Sequence, residues 1–327
     1  MNDLVQNDLH VVKQKIGDHL NNSHEPLSDT ARYYFDQKGK SIRPIVMLLM
    51  AKALSKKLPK SDPHHGLIND QQYTLAMIAE MIHTSSLVHD DVIDEADTRR
   101  KTPSANKKFG DPLAIYAGDF ILAKASMALA GLNNLDLITT IATIIDDLVD
   151  GELKQLSNEA KASHKVRFDH YLTKTYLKTA SLFANGCLSV ATASKMDEQT
   201  CESSRSFGHD LGMAFQVIDD VLDLVSTSEE LGKPSSADLS LGLATAPILY
   251  AAEEFPELNP LIKRRFKGPG DVPEALHYLN KSSGLARSRE LAAEYGQSAV
   301  RTIQQLPESL ERQALVDLCA LVLSRSS

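Results

Sequence analysis

Residues 73–94 read YTLAMIAEMIHTSSLVHDDVID, and the fold is decided there. Leu75, Ile78, Met81, Ile82 and Val88 recur at three- and four-residue steps, the period of a helix that buries one broad face. The helix closes on Asp90, Asp91 and Asp94, and positions four apart share a face. Two carboxylates about 6 Å apart repel by roughly 3 kcal/mol at an effective dielectric of 20, so a cation belongs between Asp90 and Asp94. Hard oxygen donors that leave coordination positions open suit Mg²⁺ shared with a phosphate group.

The same periodicity runs outward along most of the chain. It predicts helices over 44–54, 73–91, 112–132, 136–156, 168–193, 200–224, 244–253, 273–280, 285–305 and 310–323. Breaks between them are short, polar and marked by Pro and Gly, and strand-like alternation with hairpin turns is absent. One all-α domain spanning 1–327 is expected.

Of 327 residues, 35 are Lys or Arg and 43 are Asp or Glu, a net charge of -8 that argues against broad affinity for nucleic acid or anionic lipid. The most apolar stretch, 113–130, carries Asp119 and Lys124, so no membrane span is expected and at most a peripheral association. The first twenty residues hold Asp3, Asp8 and Asp18 and no Arg, unlike a secretory signal or a mitochondrial presequence. Cys187, Cys201 and Cys319 are odd in number and lack CxxC spacing, which reads as reduced interior thiols.

The acidic pattern recurs. Asp219, Asp220 and Asp223 follow Phe215-Gln216-Val217-Ile218, and a third copy stands at Asp146, Asp147 and Asp150. Flanks separate them: Arg99 and Arg100 follow the first copy and Gly232-Lys233-Pro234 the second, whereas the third has no basic neighbours and reads as a solvated helix face. Lys40 and Arg43, in Gly39-Lys40-Ser41-Ile42-Arg43-Pro44, can meet one anion at a helix start or form a basic surface turn. His83 lies two turns before Asp90, where a packed core histidine and a site residue are both open readings. Lys174-Thr175 and Lys178-Thr179 repeat four apart, and spacing does not choose between them.

In this order, from Gly39 to about Ala251, these motifs resemble the trans-isoprenyl (polyprenyl) diphosphate synthase family, most of all eukaryotic long-chain members that make the ubiquinone side chain. The resemblance implies a single-domain helical bundle around a central cavity, the isoprenoid synthase fold. It implies a Mg²⁺-dependent transferase that joins isopentenyl diphosphate to an allylic diphosphate such as farnesyl diphosphate. Asp90, Asp91, Asp94, Asp219, Asp220 and Asp223 match its metal positions. Lys40, Arg43, His83 and Arg100 match isopentenyl diphosphate contacts; Arg99, Lys178, Thr179, Gln216 and Lys233 match positions around the allylic substrate, which selects Lys178 over Lys174.

Ser85 and Ser86 stand where early-terminating members carry a bulky aromatic, so the resemblance implies a long product, hexaprenyl or longer. Leu243 replaces a family lysine. A mitochondrial setting is implied, with a cytoplasmic one as the alternative, and a homodimer or a heteromer with a related subunit. The competing readings are a non-catalytic subunit of a heteromeric synthase, a short-chain farnesyl or geranylgeranyl synthase, and a terpene cyclase, which would have no use for Lys40 and Arg43.

Overall fold

The computed structural model describes residues 2–21, 24–37, 39, 41–156, 163–225 and 236–325. Helix is the dominant element, as the periodicity predicts. In chain order the helices are α1 (Gln6–His19), α2 (Glu25–Arg32), α3 (Ile42–Ser55), α4 (Asp70–Ile93), α5 (Ala105–Phe109), α6 (Asp111–Gly131), α7 (Leu135–Leu156), α8 (His164–Thr175), α9 (Ser181–Ala193) and α10 (Glu198–Val225). After them come α11 (Ala237–Ser240), α12 (Ala246–Glu254), α13 (Leu258–Lys263), α14 (Asp271–Lys281), α15 (Gly284–Ile303) and α16 (Leu310–Leu323).

Packing groups the chain into two compact units. One comprises Met1–Ile145, Leu182–Gly208 and Val300–Leu318; the other comprises Asp146–Ser181, His209–Ala299 and Cys319–Ser327. In the first, α4 packs on α6, α3 and α1. Ile45 to Ala51, with Ala53 and Leu54, are each at most 3% exposed, because α3 is apolar around its whole circumference and has to be enclosed. Its Lys52 reaches out to Asp8 of α1 at 2.6 Å. The start of α4 is fixed by a reciprocal cap between Asn69 and Gln72, and the Gln72 amide also donates to Val190 O of α9 and to Ser194 Oγ just beyond it.

In the second unit, Tyr171 of α8 joins Val217, Ile218 and Leu222 of α10, Ile248 and Leu249 of α12, Leu261 of α13 and Leu279 of α14 in one core. Both acidic helices are therefore held by interior packing, and their aspartates lie at or near the ends of rigid rods.

Helices α1, α2, α5, α11 and α13 fall outside the segments whose periodicity predicts helix, and three further local features stand out. A two-stranded hairpin, Thr98–Arg99 against Thr102–Pro103, follows α4. Its strands are too short to show alternation, and its turn carries Arg100 and Lys101 at φ of 53° and 67° where Asn-Gly would be the usual signal. The single helix expected over 168–193 is interrupted by a π-helical turn, Tyr176–Ala180, in which Ser181 N–H bonds back to Tyr176 O. And α6, by length and composition alone, is apolar enough to cross a membrane even with Asp119 and Lys124, a property that the core helix of a bundle shares. It packs against α4 and α2.

Candidate functional site

In the first unit, α4 ends when Glu95 enters the left-handed region at φ 52°, with Asp94 N–H bonded to Asp90 O and Ala96 N–H to Asp91 O. The three aspartates then take different surroundings. Asp90 is half-buried and Asp94 exposed, whereas Asp91 is fully buried. Arg99 grips the Asp91 carboxylate, with Nε 3.0 Å from Oδ1 and 3.2 Å from Oδ2 and Nη2 also on Oδ1. Tyr34 donates its hydroxyl to the other side of the same carboxylate and accepts the Ala105 N–H at 2.8 Å. Burial and the bond to Asp91 push the Tyr34 phenol far up, so it stays a neutral donor.

Arg99 is thus turned inward by the hairpin while Arg100, next along, faces the other way. Arg100 Nη1 donates to Tyr34 O at 3.3 Å and lies so close over Gly39 that a Cβ there would stand 2.7 Å from it. Arg43 Nη1 donates to His83 Nε2 at 2.8 Å, and its guanidinium lies 5.2 Å from the centre of the Phe183 ring. Burial, then the charges of Arg43, Arg100 and Arg99, hold the His83 imidazole well below its ordinary range, so it is the neutral acceptor of that bond.

One turn before His83, Glu80 lines a cavity of about 520 Å³ together with Lys13, Arg32, Gln37, Gly39 and Arg100. Burial raises its carboxyl, against the opposing pull of Arg43, Arg100 and Lys13. Ser85 is buried and donates to Gly118 O of α6 at 2.9 Å; Ser86, half-buried, donates to His83 O at 2.9 Å.

In the second unit one aspartate of the motif is partly exposed and two are buried. Asp219 is partly exposed and pairs with Arg325 at 2.7 Å. Asp220 is buried, accepting Tyr171 Oη at 2.6 Å and Gln216 Nε2 at 2.8 Å, and burial raises its carboxyl. Gln216 Oε1 in turn accepts the Thr179 hydroxyl at 2.7 Å. Asp223, 1% exposed, accepts the Asp238 N–H at 3.1 Å, and its own carbonyl takes the Ser236 N–H at 2.8 Å. Lys178 sits in the π-helical turn, paired with Glu152 and donating to Gln155 Oε1 at 3.1 Å. Gly151 permits that approach, since a Cβ there would meet Lys178 Cγ at 2.6 Å.

Lys40 and Lys233 lie outside the described residues. The structure brings Arg43, His83 and Arg100 into one neighbourhood with Asp90 and Asp94 on the same helix as His83, and Thr179 with Gln216 and Asp220. It seats Asp91, Asp220 and Asp223 in the interior. Sequence reasoning missed Tyr34, Glu80, Tyr171, Glu152 and Gln155, whose roles come from long-range packing; only Glu80, one turn from His83, carried a local signal. In the third acidic copy Asp146 and Asp150 are exposed, as its flanks suggested, and Asp147 accepts the Ser181 hydroxyl.

The donor chemistry fits a small hard cation. Asp90 and Asp94 present carboxylate oxygens from one turn, and a guanidinium stands on Asp219 where a metal cation would act. Among the described residues no group of three or more His, Cys, Asp or Glu is arranged to hold a metal by itself. Any ion here would complete its coordination from a bound anion or water.

Comparison with known proteins places this arrangement. A family profile described as polyprenyl synthetase matches residues 24–279. An all trans-polyprenyl-diphosphate synthase of Mus musculus is 45% identical over 321 residues, covering 97% of this chain and 76% of its own length. A probable mitochondrial hexaprenyl pyrophosphate synthase of Yarrowia lipolytica is 39% identical over 381 aligned positions, 99% of this chain and 84% of its own. The crystal structure of a polyprenyl synthase from Caulobacter crescentus, complexed with calcium and isoprenyl diphosphate, superposes with a TM-score of 0.88 at 29% identity, covering 100% of this chain and 97% of that one. Both acidic motifs and the Arg43–His83 pair fall inside the matched region, and the chain belongs to the polyprenyl synthetase family as a trans-prenyltransferase.

Proposed function

We propose that the chain is a long-chain trans-polyprenyl diphosphate synthase that adds isopentenyl diphosphate repeatedly to an allylic diphosphate, making the side chain of ubiquinone. The observation that carries the reading is the division within each acidic motif. One aspartate is locked into the fold, Asp91 by Arg99 and Tyr34 and Asp220 by Tyr171 and Gln216. Asp90, Asp94 and Asp219 keep partial exposure, while Asp223 is buried beside Asp238. A scaffold that aims carboxylates outward serves a ligand, not packing.

In this reading residues 1–327 form one catalytic domain; Asp90 and Asp94 would hold Mg²⁺ for a diphosphate, with Asp91 positioning them, and Asp219 and Asp223 are the metal ligands of the second motif, with Asp220 positioning them. Magnesium supplies charge neutralisation for the departing pyrophosphate. Thr179 and Gln216 present oxygens toward the carbon that becomes cationic, their orientation fixed by the bond between them and by Asp220. Lys40, Arg43, His83 and Arg100 hold isopentenyl diphosphate, and neutral His83 fixes one edge of Arg43 by accepting its N–H. Lys178, Lys233 and Arg99 supply positive charge near the allylic substrate, Arg99 through its grip on Asp91. The proton lost in each condensation goes to the leaving pyrophosphate.

A small residue at Ser86 leaves room for a lengthening tail, and each five-carbon unit gains about 4 kcal/mol at roughly 0.8 kcal/mol per buried carbon. The second copy in a homodimer, or a related subunit, covers the face of α6 on which Ile115, Tyr116 and Met127 are 41%, 64% and 67% exposed. The mitochondrial name of the Yarrowia relative supports a mitochondrial site of action. Both acidic motifs being complete favours catalysis over a non-catalytic subunit. The test is incorporation of labelled isopentenyl diphosphate by the purified chain with farnesyl diphosphate and Mg²⁺. Activity abolished by a chelator and restored by Mg²⁺ is expected; metal-independent incorporation, or none even with a related subunit added, overturns the reading.

A further inference from the structure

Arg325, just beyond α16, lies over the same face of α10 that carries the exposed end of the second acidic motif. Its Nη1 is 2.7 Å from Asp219 Oδ1, and its guanidinium carbon is 4.8 Å from the centre of the Phe215 ring. Phe215 and Asp219 are four apart, so one planar cation spans an aromatic ring and a carboxylate on a single helical face. The side chains of Arg325 and Asp219 are 21% and 34% exposed, a partly shielded pair rather than a loose surface one.

The pair is a charge contact more than a hydrogen bond. Arg325 Nε and Nη1 are both buried without an aligned acceptor. A guanidinium has five donors in a fork that matches the oxygens of a phosphate, and here that fork is held in place with its donors poorly used.

We propose that Arg325 is a placeholder cation at the second acidic motif: it neutralises Asp219 while no metal ion is bound and transfers to diphosphate oxygens when the ion arrives. The inference rests on the reading that Asp219 is a metal ligand. Its consequence is ordered loading. Without a diphosphate, a divalent ion must displace Arg325 and leave a guanidinium beside it; with a diphosphate, the displaced guanidinium gains the acceptors it lacks.

The experiment counts Mn²⁺ bound to the full chain from the free-ion electron paramagnetic resonance signal, with and without inorganic pyrophosphate. In the absence of pyrophosphate, Arg325→Gln should bind Mn²⁺ on the order of ten-fold more tightly than wild type. Arg325→Lys, which keeps the charge, should match wild type, and so should Lys263→Gln, which removes an exposed cation of α13. With pyrophosphate present the order should reverse, Arg325→Gln binding several-fold more weakly. Equal Mn²⁺ affinity of Arg325→Gln and wild type, with Asp219→Asn losing ions, overturns the placeholder and leaves the metal site standing. Wild-type Mn²⁺ binding by Asp219→Asn overturns the metal assignment and the placeholder with it.

Discussion

Arg43 and His83, forty residues apart in sequence, are joined by a 2.8 Å bond in which the imidazole accepts. His83 can accept only while neutral, and its folded pKa is well below the ordinary 6.5. Unfolded chains therefore bind a proton at His83 once pH drops below about 6.5, whereas the folded protein does not, so stability is full above that pH and falls as pH is lowered toward the folded value. Urea midpoints at pH 7.5, 6.5 and 5.5 should decline more steeply for wild type than for His83→Gln, which keeps an acceptor and cannot titrate. Parallel declines would contradict the neutral-acceptor assignment.

The aspartates of the first motif should separate by phenotype. Asp91→Asn removes the partner of a mostly enclosed guanidinium and should cost on the order of 3 kcal/mol, read as a lowered urea midpoint. Asp90→Asn changes a partly exposed carboxylate, so stability should move by less than about 0.5 kcal/mol while turnover falls by orders of magnitude. The reverse pattern would exchange their roles.

Gly39→Ala probes the close approach of Arg100. The added carbon would stand 2.7 Å from Nη1, the far end of a flexible side chain, so Arg100 moves and the backbone does not. KM for isopentenyl diphosphate should rise about ten-fold, one hydrogen-bonded contact to a charged group, with KM for the allylic diphosphate and the melting temperature unchanged. An unchanged KM for isopentenyl diphosphate would remove Arg100 from that site.

Ser85 and Ser86 looked equivalent as positions of product control, and their structural settings are not. Ser85 is sealed against Gly118 of α6, so Ser85→Phe should cost about 1–3 kcal/mol through overpacking. Ser86 is half-buried, and Ser86→Phe should shorten the product with little loss of stability, read by chromatography of dephosphorylated products beside a thermal melt. A full-length product from Ser86→Phe would send the tail by another route.

The helical fold was legible in the sequence because burial imposes a period, and residues such as Leu75, Ile78, Met81 and Ile82 display it without help from distant segments. The acidic motifs were legible for the same reason: four-residue spacing puts Asp90 and Asp94 on one face. What each aspartate does was not legible. Asp91 is set apart from Asp90 by Tyr34, 57 residues away, and Asp220 from Asp219 by Tyr171, 49 residues away. The hairpin that sends Arg99 and Arg100 to different partners was hidden because residues other than glycine occupy its left-handed positions. Likewise the π-helical turn carries Lys178 close against Gly151, a contact no local pattern announces.

The most direct measurement is the length of the lipid made. Purified protein incubated with labelled isopentenyl diphosphate, farnesyl diphosphate and Mg²⁺ should yield dephosphorylated alcohols of hexaprenyl length or greater. A ladder that stops at five isoprene units or fewer would contradict the long-chain assignment.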